Sequence, residues 1–283
     1  MMNYNINVGG RLLDFRKPRV MGILNVTPDS FFADSRKQSE RDIRDRAEQI
    51  VREGAAIIDV GAYSSRPGAD DVSAKEEMER LRLGLSAVRN ACPDAIVSVD
   101  TFRSDVARMC VEEYGVGIIN DISGGEMDKD MFATVAKLGV AYVLMHMQGT
   151  PQSMQDSPQY GNVALEVARY LAERVQRLRD LGQKDIILDP GFGFGKTLRH
   201  NYELLESLDY IKDMAQLPLL VGVSRKSMVY KPLGISPEEA LNGTTVLNTM
   251  ALMKGADVLR VHDVKAACEA VSIVEKMKAC QAF

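Results

Sequence analysis

Ala95-Ile96-Val97-Ser98-Val99-Asp100 runs into Thr101-Phe102-Arg103, then into a helical pattern over 104–114, and then into a second apolar run at 116–120 that ends in Asn120. Successive side chains on a strand point to opposite faces, so Val97 and Val99 share one face while Ser98 and Asp100 share the other. The unit is an apolar strand with a polar end, a loop and a helix. Working outward from it, the same unit recurs along the whole chain. Further apolar runs lie at 20–25, 56–61, 140–147, 185–189, 219–224 and 257–262, which makes eight, each carrying Asn, Asp, His, Ser or Arg at or near its end. Helical patterns fill the intervals at 41–53, 74–90, 130–137, 162–181, 202–214, 237–254 and 264–277, so the helices also number eight. Strands separated by helix-length segments pair in parallel, because a parallel connection needs a crossover of about a dozen residues. The pattern predicts an α/β fold, a single-domain (β/α)8 TIM barrel whose site lies at the C-terminal rim of the strands.

Composition bounds the function from the other side. The chain has 283 residues and is 46% hydrophobic, which one barrel of roughly 250 residues accommodates. No linker or low-complexity tract divides it; residues 1–17 are expected to form a flap over the barrel bottom and 18–283 the barrel itself. Net charge is only −4 and the cations are scattered, so nucleic acid is not expected as a partner. No apolar run approaches the about 18 residues of a membrane span and no signal pattern opens the chain, so a cytoplasmic protein is expected. Cys92, Cys110, Cys268 and Cys280 lack metal-like or redox-motif spacing, which fits unpaired thiols in a reducing compartment.

Alternation decides which polar residues reach the barrel interior. Asp59, Asn120 and Asp189 share parity with Ile57, Ile118 and Ile187; Ser224 shares it with Lys226, and Arg260 with His262. Any one of these could simply cap a helix or fix a turn. Asp100, Asp189 and Arg260 together resist that reading, because burying several charges at a rim is costly unless a ligand or partner satisfies them. Asp100, Asn120 and Asp189 offer oxygens to a flat heterocycle with adjacent N–H donors. Arg260 and His262 offer donors to an anion, near where barrels commonly bind phosphate. Asn25 offers an oxygen to a hard cation such as Mg2+, whose other ligands are usually water and substrate phosphates. The bowl suits a small molecule with a donor-rich ring at one end and a phosphate at the other.

Other motifs carry less. Gly191 and Gly195 are separated by three residues where a phosphate loop needs four. Lys226 sits beside Arg225 beyond a strand, where a charged hydrogen-bonding lysine is simpler than a Schiff base. His200 reads as a helix-start residue, and His146 points away from Met145 and Met147 in a structural role.

Longer blocks carry a resemblance. Met21-Gly22-Ile23-Leu24-Asn25-Val26-Thr27-Pro28-Asp29-Ser30-Phe31, Ser65-Arg66-Pro67-Gly68, Val99-Asp100-Thr101, Ile119-Asn120-Asp121-Ile122, Met145-His146-Met147-Gln148-Gly149, Leu188-Asp189-Pro190-Gly191-Phe192-Gly193-Phe194-Gly195-Lys196, Gly222-Val223-Ser224-Arg225-Lys226-Ser227 and Arg260-Val261-His262-Asp263 resemble the dihydropteroate synthase family. The resemblance covers the chain from its first barrel strand to its last. It implies a magnesium-dependent transferase of folate synthesis, in which 4-aminobenzoate attacks the methylene carbon of 6-hydroxymethyl-7,8-dihydropterin diphosphate and pyrophosphate leaves. By that similarity Asp100, Asn120, Asp189 and Lys226 hold the pterin, with Ile122 and Met145 against its faces and Arg260 stacked on it. Asn25 would take the Mg2+ and a diphosphate contact, and Arg260 and His262 the departing anion. Phe31, Ser65, Arg66, Pro67, Phe194 and Ser227 would frame the aminobenzoate, with Asn25, Arg66, Lys226, Arg260 and His262 carrying the catalysis. Homodimerisation is also implied, and 246–253 supplies an apolar helical face. The second loop departs from the family pattern: Ala62-Tyr63-Ser64-Ser65-Arg66-Pro67-Gly68 stands where many relatives have Gly-Glu-Ser-Thr-Arg-Pro-Gly. The alternatives are a pterin-binding methyltransferase of the methyltetrahydrofolate and corrinoid type, which needs no grip on a diphosphate, and a catalytically silent pterin-binding protein.

Overall fold

Strand alternation sorts the apolar residues into two layers. A computed structural model describes residues 5–26, 33–63, 72–150, 154 and 158–280. Its barrel strands are β3 (Arg19–Asn25), β4 (Ile57–Gly61), β5 (Ile96–Asp100), β6 (Ile118–Asp121), β7 (Ala141–Met145), β8 (Ile186–Asp189), β9 (Leu220–Val221) and β10 (Val258–Val261), preceded by β1 (Asn5–Val8) and β2 (Arg11–Asp14). The eight pair in parallel in the order β8-β7-β6-β5-β4-β3-β10-β9, and a parallel bridge from Leu188 to Leu219 joins the two ends of that order into a ring. Outward residues such as Ile58, Val60, Val97 and Val99 pack beneath the helices. Inward residues Met21, Ile57, Ile118, Ala141, Val143, Ile187, Leu220 and Val258 fill the lower bore, and Ile6, Val8, Leu13 and Phe15 of the antiparallel β1–β2 hairpin join the same cluster. That apolar plug seals one end of the bore, so inward polar residues are confined to the other.

The helices are α1 (Ala33–Arg52), α2 (Ala74–Ala91), α3 (Ser104–Tyr114), α4 (Met131–Leu138), α5 (Val163–Asp180), α6 (Leu198–Glu206), α7 (Leu208–Ala215), α8 (Ser227–Leu233), α9 (Leu241–Met253) and α10 (Val264–Cys280). Local chemistry starts and stops them. The Ser73 hydroxyl accepts from Glu76 N–H at 3.2 Å and the Asn162 side chain from Leu165 N–H at 3.0 Å, satisfying free first-turn donors. Gly115 and Gly139 end α3 and α4 in the left-handed conformation, where glycine avoids the Cβ clash.

Among the described residues ten helices replace the expected eight. The 202–214 pattern breaks at Ser207, which ends α6 and opens α7 and whose hydroxyl donates to Glu203 O at 2.9 Å. Serine competes in this way for helix carbonyls. The seventh interval holds a short extra helix, α8, before α9, so the expected 237–254 helix begins only at Leu241. The apolar run 219–224 yields only a two-residue strand, β9, because the chain turns at its end through a Lys226 N–H to Val223 O bond of 3.1 Å. Among the described residues no helix is long and apolar enough to cross a membrane.

Candidate active site

Immediately above the plug, the inward positions change from apolar to charged. Asp59 on β4 is fully buried, two residues after Ile57. Arg260 on β10 donates from Nε to Asp59 Oδ2 at 2.6 Å and from Nη2 to Asp100 Oδ2 at 2.7 Å. Asn120 on β6 donates through Nδ2 to the same Asp59 oxygen at 3.2 Å. Three adjacent strands and the first neighbour across β3 thus share one network, as the strand order allows. Asp59 Oδ1 and Ser98 Oγ are sealed from solvent and have no hydrogen-bond partner among the described residues. Buried acceptors left this way are expensive, so the floor retains polar capacity.

The remaining expected residues stand around this floor. Asp189, at the end of β8, accepts Gly191 N–H at 2.7 Å. Lys226 donates to Phe192 O at 2.5 Å and lies 4.4 Å from the centre of the Phe194 ring. Ser224 Oγ and His262 Nδ1 are 3.0 Å apart, His262 N–H donates to the same hydroxyl at 3.2 Å, and Arg46 holds the His262 carbonyl at 2.6 Å. Gly61 leaves room where it faces inward: a Cβ there would stand 3.5 Å from Asn25 Oδ1 and 3.6 Å from Asp100 Cβ. Asn25 is therefore beside Asp100 and is exposed. One side of the rim is apolar, formed by Phe102, Ile122, Met145, Met147 and Met154 with Tyr63 and Phe194 packed on them. Ser227 is the first residue of α8 and Lys226 its N-cap. Phe31, Ser65, Arg66 and Pro67 lie outside the described residues.

Burial governs the charges. It pushes Asp100 up to about 7 against the pull of Arg260, with the neighbouring Asp59 adding to the rise. Asp189 is likewise raised by burial, partly offset by Lys226. Burial draws Lys226 down to about 8, although Asp189 favours its charged form. Burial also opposes the charge on Arg260, but Asp59 and Asp100 hold it above the ordinary guanidinium range. Ionisable groups pushed toward neutrality by burial cluster at binding and catalytic sites, and these stand at the mouth of a barrel, where such sites lie.

Sequence reasoning underweighted four groups. Asp59 was placed inward by alternation, but its use as the anchor of Arg260 depends on strand order. Ser224 was likewise read inward, yet its bond to His262 spans 38 residues. Tyr63 and Phe102 meet edge to face at 5.2 Å with the Arg103 guanidinium 4.6 Å from the Phe102 ring, at the root of the second loop. Lys196, 3% exposed, carried no signal beyond its place after a glycine run. The structural readings of the other histidines agree with the geometry: His200 completes a capping box with Thr197, and His146 is buried against Tyr170 at 4.7 Å.

The family described as pterin binding enzyme matches residues 21–262. A dihydropteroate synthase of Escherichia coli (strain K12) is 43% identical over 268 residues, covering 94% of each chain. Among solved structures, the dihydropteroate synthase of Yersinia pestis in a sulfonamide drug complex superposes with a TM-score of 0.88 at 38% identity, covering 98% of this chain and 100% of that one. The dihydropteroate synthase of Xanthomonas albilineans with 4-aminobenzoic acid gives a TM-score of 0.88 at 34% identity, with complete coverage of both chains.

Proposed function

The chain belongs to the pterin binding enzymes and, among them, to the dihydropteroate synthases, and from that premise we infer how its residues divide the reaction. The enzyme transfers the dihydropterin-methyl group of 6-hydroxymethyl-7,8-dihydropterin diphosphate to 4-aminobenzoate, releasing pyrophosphate and 7,8-dihydropteroate. A pterin-binding methyltransferase would have no use for the paired donors Arg260 and His262 at the eighth barrel strand.

The observation that carries the residue assignment is Arg260 bracketed by Asp59 and Asp100 at 2.6 and 2.7 Å. Two carboxylates fix the guanidinium plane, while among the described residues Nη1 makes no hydrogen bond. A rigid cation of this kind supports charge building on a departing diphosphate without reorganising during the reaction. His262, positioned by Ser224 and Arg46, adds a second donor beside it. Asp100, Asn120 and Asp189 present acceptors to the N–H edge of the pterin, and Lys226 presents a donor to its oxygen. Ile122 and Met145 supply apolar faces for the ring.

An arylamine is a weak nucleophile, so we infer a dissociative substitution: the C–O bond to diphosphate breaks first, the electron-rich pterin stabilises the cationic methylene, and the amine nitrogen then bonds to carbon and loses a proton. No covalent enzyme intermediate is needed. Phe194 packs on the apolar wall, and Ser227 opens α8, whose first-turn N–H groups and partial positive charge favour a carboxylate. The loops bearing Phe31, Ser65, Arg66 and Pro67 would complete the aminobenzoate site and exclude water.

Magnesium is a further proposal. Among the described residues no cluster of three or more His, Cys, Asp or Glu could hold a metal ion. The donor set instead fits a cation that keeps its waters and the substrate's phosphate oxygens and takes only the exposed Asn25 amide oxygen from the protein. When bound, the ion would neutralise charge on the leaving diphosphate. We also propose a homodimer joined through α9 and α10, supported by exposed Val246, Met250, Met253, Ile273 and Met277 on those helices, and a cytoplasmic location, supported by four free thiols.

The test is direct. Purified protein, Mg2+, the pterin diphosphate and 4-aminobenzoate should yield stoichiometric pyrophosphate and dihydropteroate. Pyrophosphate without dihydropteroate, or neither product, would overturn the reading.

A further inference from the structure

We propose that Lys196 is a positioning residue for 4-aminobenzoate: its buried ammonium ties the 190–195 loop to the end of β7 and thereby sets where Phe194 stands. The proposal rests on the reading of Phe194 and Lys226 as substrate-facing.

The loop has little structure of its own. Gly191, Gly193 and Gly195 all have left-handed φ, at 71, 80 and 61°, and within the loop Phe194 N–H donates to Gly191 O at 3.2 Å. Its shape is imposed from outside. Lys196 Nζ stands 2.9 Å from His146 Nδ1, 2.9 Å from Gly191 O and 3.1 Å from Phe194 O. An ammonium has three hydrogens, and three acceptors converge on it. Burial, reinforced by the lysine's charge, holds His146 well below its usual range, so its ring is neutral and Nδ1 accepts. The ring itself is packed against Tyr170 and Tyr160, which makes it a fixed anchor rather than a mobile one.

The loop is also wedged against the chain that follows β7. A Cβ on Gly191 would fall 1.9 Å from His146 O, and one on Gly195 2.5 Å from Gln148 O. Backbone thus lies directly on backbone, and the two segments move together or not at all. From the other side the same loop offers Phe192 O to Lys226 and the Phe194 ring beneath its ammonium. Two lysines therefore hold carbonyls of one loop, Lys226 that of Phe192 at the mouth and Lys196 those of Gly191 and Phe194 behind it. Only the first can touch a substrate.

A plain packing residue would not need a charge. Burial draws Lys196 down to about 7, with Lys226 adding to the fall and Asp189 opposing it. Three directed hydrogen bonds converging on one buried side chain are more than packing requires. Asp100 and Asn120 sit on strand ends away from the loop, and Asp189, although it accepts Gly191 N–H, is placed by β8, so the pterin should be affected less than the aminobenzoate.

Lys196→Met keeps the length of the side chain and removes its donors. For the folded variant, kcat/KM for 4-aminobenzoate should fall about tenfold or more, mostly through KM, while KM for the pterin diphosphate shifts less than about threefold. His146→Gln, which retains an acceptor, should stay near wild type, and His146→Leu should move in the direction of Lys196→Met but less far. Unchanged aminobenzoate kinetics, or equal losses for both substrates, would overturn the proposal. If Lys196→Met gives no cooperative melt, the contrast between the two His146 variants decides by the same readout. Wild-type protein without turnover would instead overturn the functional reading, so the two failures are separable.

Discussion

Arg260 has two partners and a ligand to serve, so truncating it should act on stability and on catalysis together. Arg260→Ala leaves fully buried Asp59 without its cation, and an uncompensated buried charge is expected to lower stability by about 3 kcal/mol. Turnover should fall as well. The double substitution Asp59→Asn with Arg260→Met should recover much of the stability in a denaturant titration without recovering turnover; recovery of both would show that Arg260 serves the fold only. Asp100 yields a second expectation, with pH as the variable. Because burial raises it to about 7, the folded protein keeps this proton up to that pH while the unfolded chain releases it near the ordinary carboxylate value. Its contribution to stability therefore declines as pH rises across that window. Pterin binding runs the other way, since only the ionised carboxylate is an acceptor on both oxygens. Calorimetry should show pterin affinity weakening as pH falls through about 7, and Asp100→Asn should flatten that dependence; an unchanged slope in the variant would reassign it to another group. Alternation along the strands made these side chains legible as inward-facing, because period two is a local property of the backbone. Their partners were not legible.

At the level of elements, the seam of the barrel is its least regular part. Strand β9 has two residues, and a single bridge from Leu188 to Leu219 joins it to β8. Asp257 compensates, accepting Leu219 N–H at 2.8 Å through one oxygen and Lys212 at 2.8 Å through the other. Asp257→Ala should therefore lower stability by about 2 kcal/mol and speed hydrogen exchange at Leu220 and Val221 beyond what the global loss explains. Uniform acceleration across all strands would deny Asp257 a local function at the seam. Sequence periodicity located every barrel strand but misjudged the length of this one, since a six-residue apolar run at 219–224 does not reveal that strand pairing stops at Val221. The same limit explains α6 and α7. A continuous apolar stripe from 202 to 214 reads as one helix, and the break rests on a single polar side chain, Ser207, whose hydroxyl donates to Glu203 O.

For the whole molecule, the open question is what covers α9 and α10. Val246 is 51% exposed and Ile273 69%, which is unusual for residues of that type on adjoining helices. Light scattering should return twice the 31.2 kDa chain mass, and Val246→Glu with Met250→Glu should return the chain mass itself; a monomeric wild type would sink the dimer. By itself the sequence determined the alternation of strand and helix, the side chains that face the bore, the apolar plug below them and the family blocks, because each rests on periodicity or on contiguous residues. Only the tertiary structure decided that Arg260 is shared by Asp59 and Asp100, 201 and 160 residues away along the chain, and that Lys196 reaches back to His146 across 50. Ring closure brings those groups together, and no local pattern encodes which buried donor finds which acceptor.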